Sequence, residues 1–249
     1  MELGLSGRVA LVTGAAGGIG GAICRALAAE GCDVALVDSA VGPRMDEVAA
    51  DVRRAGRRAL LAGVDVRDPA AAEAAVAETV AELGSVDVLV CAAGITRDAV
   101  SWKLGEAQWD EVIAVNLKGC FNFTRAVTPV MRRRGRGRIV AIASINGMRG
   151  KVGQANYAAS KAGLIGLCKS LARELGRFGI TVNAVAPGMV ATSLTRDLPA
   201  PVLDAALRET ALDRIAEPED VADLVTFLCS DRARQITGDV VRVDGGQYI

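Results

Sequence analysis

Val9-Ala10-Leu11-Val12-Thr13-Gly14-Ala15-Ala16-Gly17-Gly18-Ile19-Gly20 is the stretch on which the fold turns. Val9 to Val12 is an unbroken apolar run that ends in a turn, as in a strand buried on both faces. The glycine cluster follows, and from Ile19 to Glu30 the apolar residues recur with helical spacing. Each glycine has a physical use in that order. Gly14 permits the tight turn, Gly18 lets the backbone approach a pyrophosphate, and Gly20 lets the helix pack close to the sheet. Phosphates would sit at the free N–H groups that open the helix, with Ile19 among the contacts. Strand, glycine turn and helix in this sequence predict a dinucleotide site.

The same alternation continues outward. Apolar runs at Asp33 to Val37, Ala59 to Gly63, Val86 to Val90, Arg138 to Ala143, Thr181 to Val185 and Val240 to Val243 are separated by helically spaced segments. These include Met45 to Arg54, Pro69 to Leu83 and Trp109 to Met131. Seven such runs predict an α/β fold, an open doubly wound parallel sheet of Rossmann type with helices on both faces. No composition break divides residues 1–249, so one domain is expected. Residues 189–212, irregular in polarity and carrying Pro199 and Pro201, are read as a substrate flap beyond a strand end.

Composition narrows the chemistry. Lys+Arg and Asp+Glu both total 29, and aromatics make up 3%, so neither a nucleic-acid partner nor a base-stacking surface is expected. There is no histidine. That removes Ser-His-Asp and Cys-His engines, imidazole acid/base chemistry and His-ligated zinc. The six cysteines stand at 24, 32, 91, 120, 168 and 229 without a CxxC pair, and are read as small core residues, with no metal site. The first residues lead straight into a strand and do not resemble a signal peptide, and no run of about 18 uncharged apolar residues occurs. A cytoplasmic protein without a membrane span is expected.

Two further groups of residues carry the site. Asp38 closes the second apolar run, 18 residues after Gly20. A carboxylate there accepts hydrogen bonds from both ribose hydroxyls of NAD and repels the extra phosphate of NADP. At about 4–5 Å and an effective dielectric near 20 the repulsion is roughly 3–4 kcal/mol, so NAD(H) is favoured over NADP(H). Asp65, with Val66 beside it, follows the third run and is placed near the adenine. Ala93 and Gly94 end the fourth run, beneath the cofactor. Tyr157 and Lys161 stand four apart on one helical face, and Ser144 lies beyond a strand 13 residues earlier. With histidine absent, a phenol beside an ammonium is the best proton-transfer pair available.

The TGxxxGxG loop from Thr13 to Gly20, Asn116, Ser144, Tyr157-x-x-x-Lys161 and Pro187-Gly188 occur in an order that closely resembles the short-chain dehydrogenase/reductase family. The likeness runs from about Gly7 to Gly246. Ala92 to Asp98, Val115 to Gly119 and Gly153 to Gly163 look most similar to its 3-oxoacyl-[acyl-carrier-protein] reductase group. Ser144-Ile145-Asn146-Gly147 is similar to the acetoacetyl-CoA reductase branch. The resemblance implies that Tyr157 is general acid in reduction and general base in oxidation, and that Lys161 lowers its pKa and holds the nicotinamide ribose. It also implies that Ser144 hydrogen-bonds the carbonyl oxygen and that Asn116 organises a water-linked relay with Lys161. Pro187 and Gly188 would position the nicotinamide, with Val190 and Thr192 at its carboxamide. Reduction of a 3-oxoacyl thioester on a carrier protein or CoA follows, or the reverse reaction. A dehydrogenase of a small secondary or cyclic alcohol, polyol or steroid remains an alternative, as does a non-catalytic dinucleotide-binding protein.

The chain also departs from the resemblance. Ala15-Ala16 replaces the basic residue of NADPH-preferring relatives, and Cys91 replaces a common asparagine. Homotetramers are implied, with Asn156 to Gly176 and Val240 to Ile249 partly buried between subunits. The arginines from 132 to 138 are read either as a solvated helix end or, with Arg173, as a docking patch for an acidic carrier or CoA phosphates.

Overall fold

The apolar runs form seven strands: β1 (Val9–Thr13), β2 (Asp33–Asp38), β3 (Ala59–Gly63), β4 (Val88–Cys91), β5 (Gly137–Ile142), β6 (Ile180–Pro187) and β7 (Val240–Val243). The computed structural model describes residues 2–192, 195 and 200–249. It places the strands in one parallel sheet in the order β3-β2-β1-β4-β5-β6-β7. Val12 stands opposite Leu36 on one side and Val90 on the other. The chain winds outward from β1 through β2 to β3, then returns to the other side of β1 for β4. The crevice at the carboxyl ends of β1 and β4 is therefore the switch point at which such sheets bind ligands.

Alternate residues of each strand feed two separate cores. Ala10, Val12, Leu36 and Val90 face one layer, built with helices α1 (Gly18–Ala29) and α2 (Pro43–Arg54). Leu11, Leu89, Ile139 and Val182 face the other, against α3 (Pro69–Leu83) and Phe123, Val127 and Met131 of a later helix. The α3 boundaries follow from local chemistry. Pro69 occupies the first turn, Asp68 accepts from Ala70 N at 2.8 Å, and Gly84 closes the end in the left-handed region.

The single helix expected from Trp109 to Met131 is three pieces: α4 (Glu106–Ile113), a π turn (Ala114–Lys118) and α5 (Gly119–Arg134). Apolar spacing on either side does not by itself reveal a π turn between two helical segments. It carries Asn116 inward to 1% exposure. The remaining helices are α6 (Asn146–Arg149), α7 (Ala155–Leu175), α8 (Ala200–Glu209) and α9 (Pro218–Cys229). None of the described helices is long and apolar enough to cross a membrane. Of the expected flap, residues 193–194 and 196–199 lie outside the described residues.

Structural charge gathers at the amino ends of the strands. Asp87 accepts from Val9 N at 3.1 Å and Ser85 Oγ at 2.8 Å, and pairs with Arg134 at 3.3 Å and Arg136 at 3.0 Å. Burial works to raise its pKa, but those donors outweigh it and hold the carboxyl below its usual value. Arg138 is buried and reaches Asp231 at 3.2 Å. Three of the five arginines between 132 and 138 are thus tied to internal partners. A fourth, Arg132, lies over the Phe178 ring at 4.4 Å. The turn also sits one strand length, roughly 17–20 Å, from the carboxyl edge. Within one subunit these positions weaken the reading of the basic turn as a docking patch for substrate at the switch point.

Candidate active site

The glycine loop is a close-packed knot at the end of β1. Gly14 has φ +71, and a Cβ there would lie 2.7 Å from Ala93 N at the end of β4. At Gly20 a Cβ would lie 2.8 Å from the Gly14 carbonyl carbon and closer still to its oxygen. Gly20 thus lets the first turn of α1 pack directly against the backbone at the end of β1. Gly18 faces the Thr192 side chain, 2.9 Å from where its Cβ would be. Among the described residues no side chain caps α1, and no acid stands in its first turn, which holds Gly18, Ile19 and Gly20. An uncapped N-terminus behind a side-chain-free cradle fits a dinucleotide pyrophosphate.

Asp38, at the carboxyl end of β2, points back to this loop. Its Oδ2 accepts from Ala16 N at 3.0 Å and its Oδ1 from Ser39 N at 2.8 Å. A carboxylate has about four acceptor positions, so hydroxyl donors can still be received. Asp65, expected near the adenine, has its carboxylate engaged by a neighbour in the chain. Arg67 holds both its oxygens, at 2.9 and 2.6 Å, and keeps its carboxyl below the usual range. Val66 is buried against Gly119, and its carbonyl accepts from Asn122 Nδ2 at 2.9 Å. Asn122 also reaches Arg67 O at 3.2 Å and so fixes the loop that follows β3. Sequence reading missed it. The signal was a polar amide on the buried stripe of α5, beside Phe123 and Val127.

Ser144, just past β5, and Tyr157 and Lys161 on α7 meet at the carboxyl ends of the central strands. Lys161 is buried and donates to Ile142 O at 2.7 Å. Its Nζ stands 5.5 Å from the centre of the Tyr157 ring, with two N–H donors left over. Ser144 Oγ accepts from Asn146 N at 3.1 Å, which leaves its own proton to donate. Asn116 is spent on the scaffold: Oδ1 accepts from Ile95 N at 2.8 Å, and Nδ2 donates to Ile95 O at 3.1 Å and Ser160 Oγ at 3.0 Å. Its amide ties the loop after β4 to α7. Gly94 lies beside Asn116 Oδ1 and Lys161 Nζ, each 3.4 Å from its Cβ position. Ala93 N donates to Thr13 Oγ1 at 3.3 Å. Pro187 ends β6, Gly188 N donates to Val243 O at 3.0 Å, and Val190 is buried. A phenol, a hydroxyl with a free proton and a buried ammonium beside a dinucleotide cradle can protonate a carbonyl oxygen while its carbon takes a hydride.

A family model described as "Enoyl-(Acyl carrier protein) reductase" matches residues 14–247. Nodulation protein G of Azospirillum brasilense is 43% identical over 97% of this chain and 98% of its own length. The 3-oxoacyl-[acyl-carrier-protein] reductase FabG of Staphylococcus epidermidis is also 43% identical, over 96% and 98%. A crystal structure of a putative short-chain alcohol dehydrogenase from Sinorhizobium meliloti superposes with a TM-score of 0.94 at 36% identity, covering 99% and 98% of the two chains. The chain belongs to the short-chain dehydrogenase/reductase family. As a short-chain dehydrogenase/reductase it is an NAD(P)-dependent oxidoreductase acting on a carbonyl/alcohol pair.

Electrostatics in this short-chain dehydrogenase/reductase set a cost on its site. Burial pushes the Tyr157 phenol up, the Ser144 hydroxyl beside it pulls it back, and the Asp98 carboxylate adds to the rise. Burial lowers Lys161 from 10.5 to about 8, and the Cys120 and Cys91 thiols oppose that fall. Below pH 8 the ammonium is charged in both folded and unfolded chains, and its burial cost is borne in full. Between pH 8 and 10.5 the unfolded chain holds a proton that the folded one has shed, so stability climbs with pH. The span corresponds to about 3 kcal/mol. Lys161→Met is therefore expected to be the more stable protein at pH 7, by about 1–3 kcal/mol, while losing turnover. Its advantage should narrow by about 2 kcal/mol between pH 7 and pH 9.5 in urea unfolding curves. An advantage that stays constant with pH would discard this account of Lys161.

Proposed function

We propose that the protein reduces the carbonyl of a 3-oxoacyl thioester to the 3-hydroxyacyl form with NADH, in the cytoplasm. The meeting of Ser144, Tyr157 and Lys161 beside the glycine cradle carries the reading of the chemistry. The nicotinamide, when bound, supplies the hydride that the carbonyl carbon receives. Ser144 donates its free O–H to the carbonyl oxygen and stabilises the charge that gathers there. Tyr157 gives the proton that completes the alcohol, and Lys161 favours the phenolate left behind. Asn116 acts as a positioning residue, holding the loop after β4 against α7. Gly14, Gly18, Ile19, Gly20, Asp38, Val66, Ala93, Gly94, Pro187, Gly188, Val190 and Thr192 would hold the cofactor. Asp65 serves there through its bond to Arg67. The thioester is inferred from what the named relative from Staphylococcus epidermidis is called, and from the matching segments around Asp98, Gly119 and Tyr157.

The carboxylate of Asp38, seated on Ala16 N in a loop without a cation, supports the preference for NADH. A repulsion of about 3 kcal/mol corresponds to at least 100-fold in efficiency. Steady-state oxidation of NADH and NADPH with a short 3-oxoacyl thioester tests both points. NADH is expected to win by that factor, and Asp38→Ala to bring the two cofactors within about ten-fold. NADPH preference in the wild type would overturn the cofactor assignment. Failure with both cofactors, in protein that binds NADH, would shift the substrate to small secondary alcohols or polyols. Self-association is part of the proposal. Trp109 on α4 and Phe121 on α5 are 40% and 44% exposed, and the open-edge strand β7 is only half-buried.

A further inference from the structure

Arg149, the last residue of α6, lies five residues beyond Ser144 and belongs to none of the groups assigned above. Its Nη2 donates to Glu209 Oε2 at 2.9 Å and its Nη1 to Gln247 O at 3.1 Å, while Nε faces Asn146 Oδ1 at 3.4 Å. Glu209 is the last residue of α8. Gln247 completes the ring: Nε2 donates to Glu209 Oε2 at 3.2 Å, and Oε1 accepts from Met189 N at 3.0 Å. Asn146 in turn donates its backbone N–H to Ser144 Oγ at 3.1 Å and its Nδ2 to Gln154 Oε1 at 3.0 Å. One guanidinium thus joins the turn that carries Ser144 to the end of α8 and to the C-terminal turn.

We propose that Arg149 is a positioning residue that latches α8 to the Ser144 turn and thereby sets how tightly the acyl end of the substrate is held. The proposal rests on the thioester reading above. Three features lead to it. The fork of a guanidinium can serve Glu209, Gln247 and Asn146 together, which a single ammonium point charge does less well. The ion pair is partly open, with side-chain exposures of 23% for Arg149 and 49% for Glu209, so it is weak enough to part and re-form within a turnover. Half-exposed apolar residues adjoin both ends of the latch in sequence: Met148 beside Arg149, and Val202 and Leu207 on α8 before Glu209. Such surfaces suit a hydrocarbon chain, so the latch should matter more as the acyl group lengthens.

The test compares wild type, Glu209→Gln and Arg149→Lys on 3-oxoacyl thioesters of about four and about eight carbons. Both variants are expected to raise KM for the longer thioester about five-fold, as loss of a weak ion pair allows, and to raise it less for the shorter. kcat and the NADH dissociation constant, read by fluorescence, should stay within about two-fold. Hydrogen exchange of the cofactor-free protein gives a readout independent of substrate. Glu209→Gln should speed exchange in residues 200–209 and also in 145–150. Unchanged KM in variants of an active wild type overturns the latch, as does faster exchange confined to α8. If the wild type turns over no thioester, the substrate reading fails, and the exchange experiment alone decides the latch.

Discussion

Tyr157→Phe is expected to lower kcat about 10³-fold, the scale of a lost general acid, with NADH affinity and melting temperature nearly unchanged. The substitution removes one oxygen from a ring whose packing stays the same. Among the described residues, the other groups near the site are poor replacements for its proton. The chain has no histidine. Lys161 Nζ gives one N–H to Ile142 O and stands 5.5 Å from the centre of the Tyr157 ring, and the Asp98 carboxylate accepts from Gln154 Nε2 at 2.8 Å. Ser144 can donate a hydrogen bond, but a serine is too weak an acid to be left deprotonated after the reaction. The measurement is kcat under saturating substrate, with NADH titrated by fluorescence in the same preparation. Residual activity within ten-fold of wild type would mean that the proton comes from another group, and the assignment of Tyr157 would fall.

The second large effect is expected from a single methyl group. Gly20→Ala would put a Cβ inside contact distance of the Gly14 carbonyl oxygen, where the neighbours are backbone and cannot rotate away. Either the β1–α1 turn opens or α1 shifts from the sheet, and overpacking of this kind costs about 3 kcal/mol. For a chain of this size that is roughly 6–12 °C in Tm. NADH binding should disappear with it, because the same turn forms the phosphate cradle. Gly42→Ser is the control. Gly42 has extended backbone, open space around its Cβ position and an N-cap place on α2, so the variant should melt within about 2 °C of wild type. If Gly20→Ala melts like Gly42→Ser and still binds NADH, the loop is looser than its contacts imply.

The sheet was legible because both its signals are local. Val9 to Val12 and its counterparts read as strands from short apolar runs, and Gly14 to Gly20 announced the turn at the switch point. The proximity of Tyr157 to Lys161 followed from helical spacing. Features that depend on distant partners were hidden. Arg136 looked like a free surface charge because Asp87 is 49 residues away, and the pairing of Arg149 with Glu209 spans 60 residues. Asn116 could be singled out, and a relay with Lys161 expected of it, but its bonds to the scaffold could not be read. It sits on a π turn, and its Ile95 and Ser160 partners come from two other segments. Asp65 was placed correctly after β3, yet Arg67, two residues on, takes its oxygens. Two charges that close along the chain compete with any ligand contact, and spacing does not say which prevails.

The six cysteines stand in both core layers. All six are buried and none is bonded to another. Burial pushes Cys24 and Cys32 up to about 12, and the thiolate is the form that reacts. Burial raises Cys168 and Cys229 as well, so the native chain hides dormant reagents distributed from α1 to α9, each awakened when its layer comes apart. Every excursion to the open state in air risks being made permanent by mispaired sulfur. The lifetime of the protein outside a reducing compartment is then governed by how often it unfolds and not by how stable it is on average.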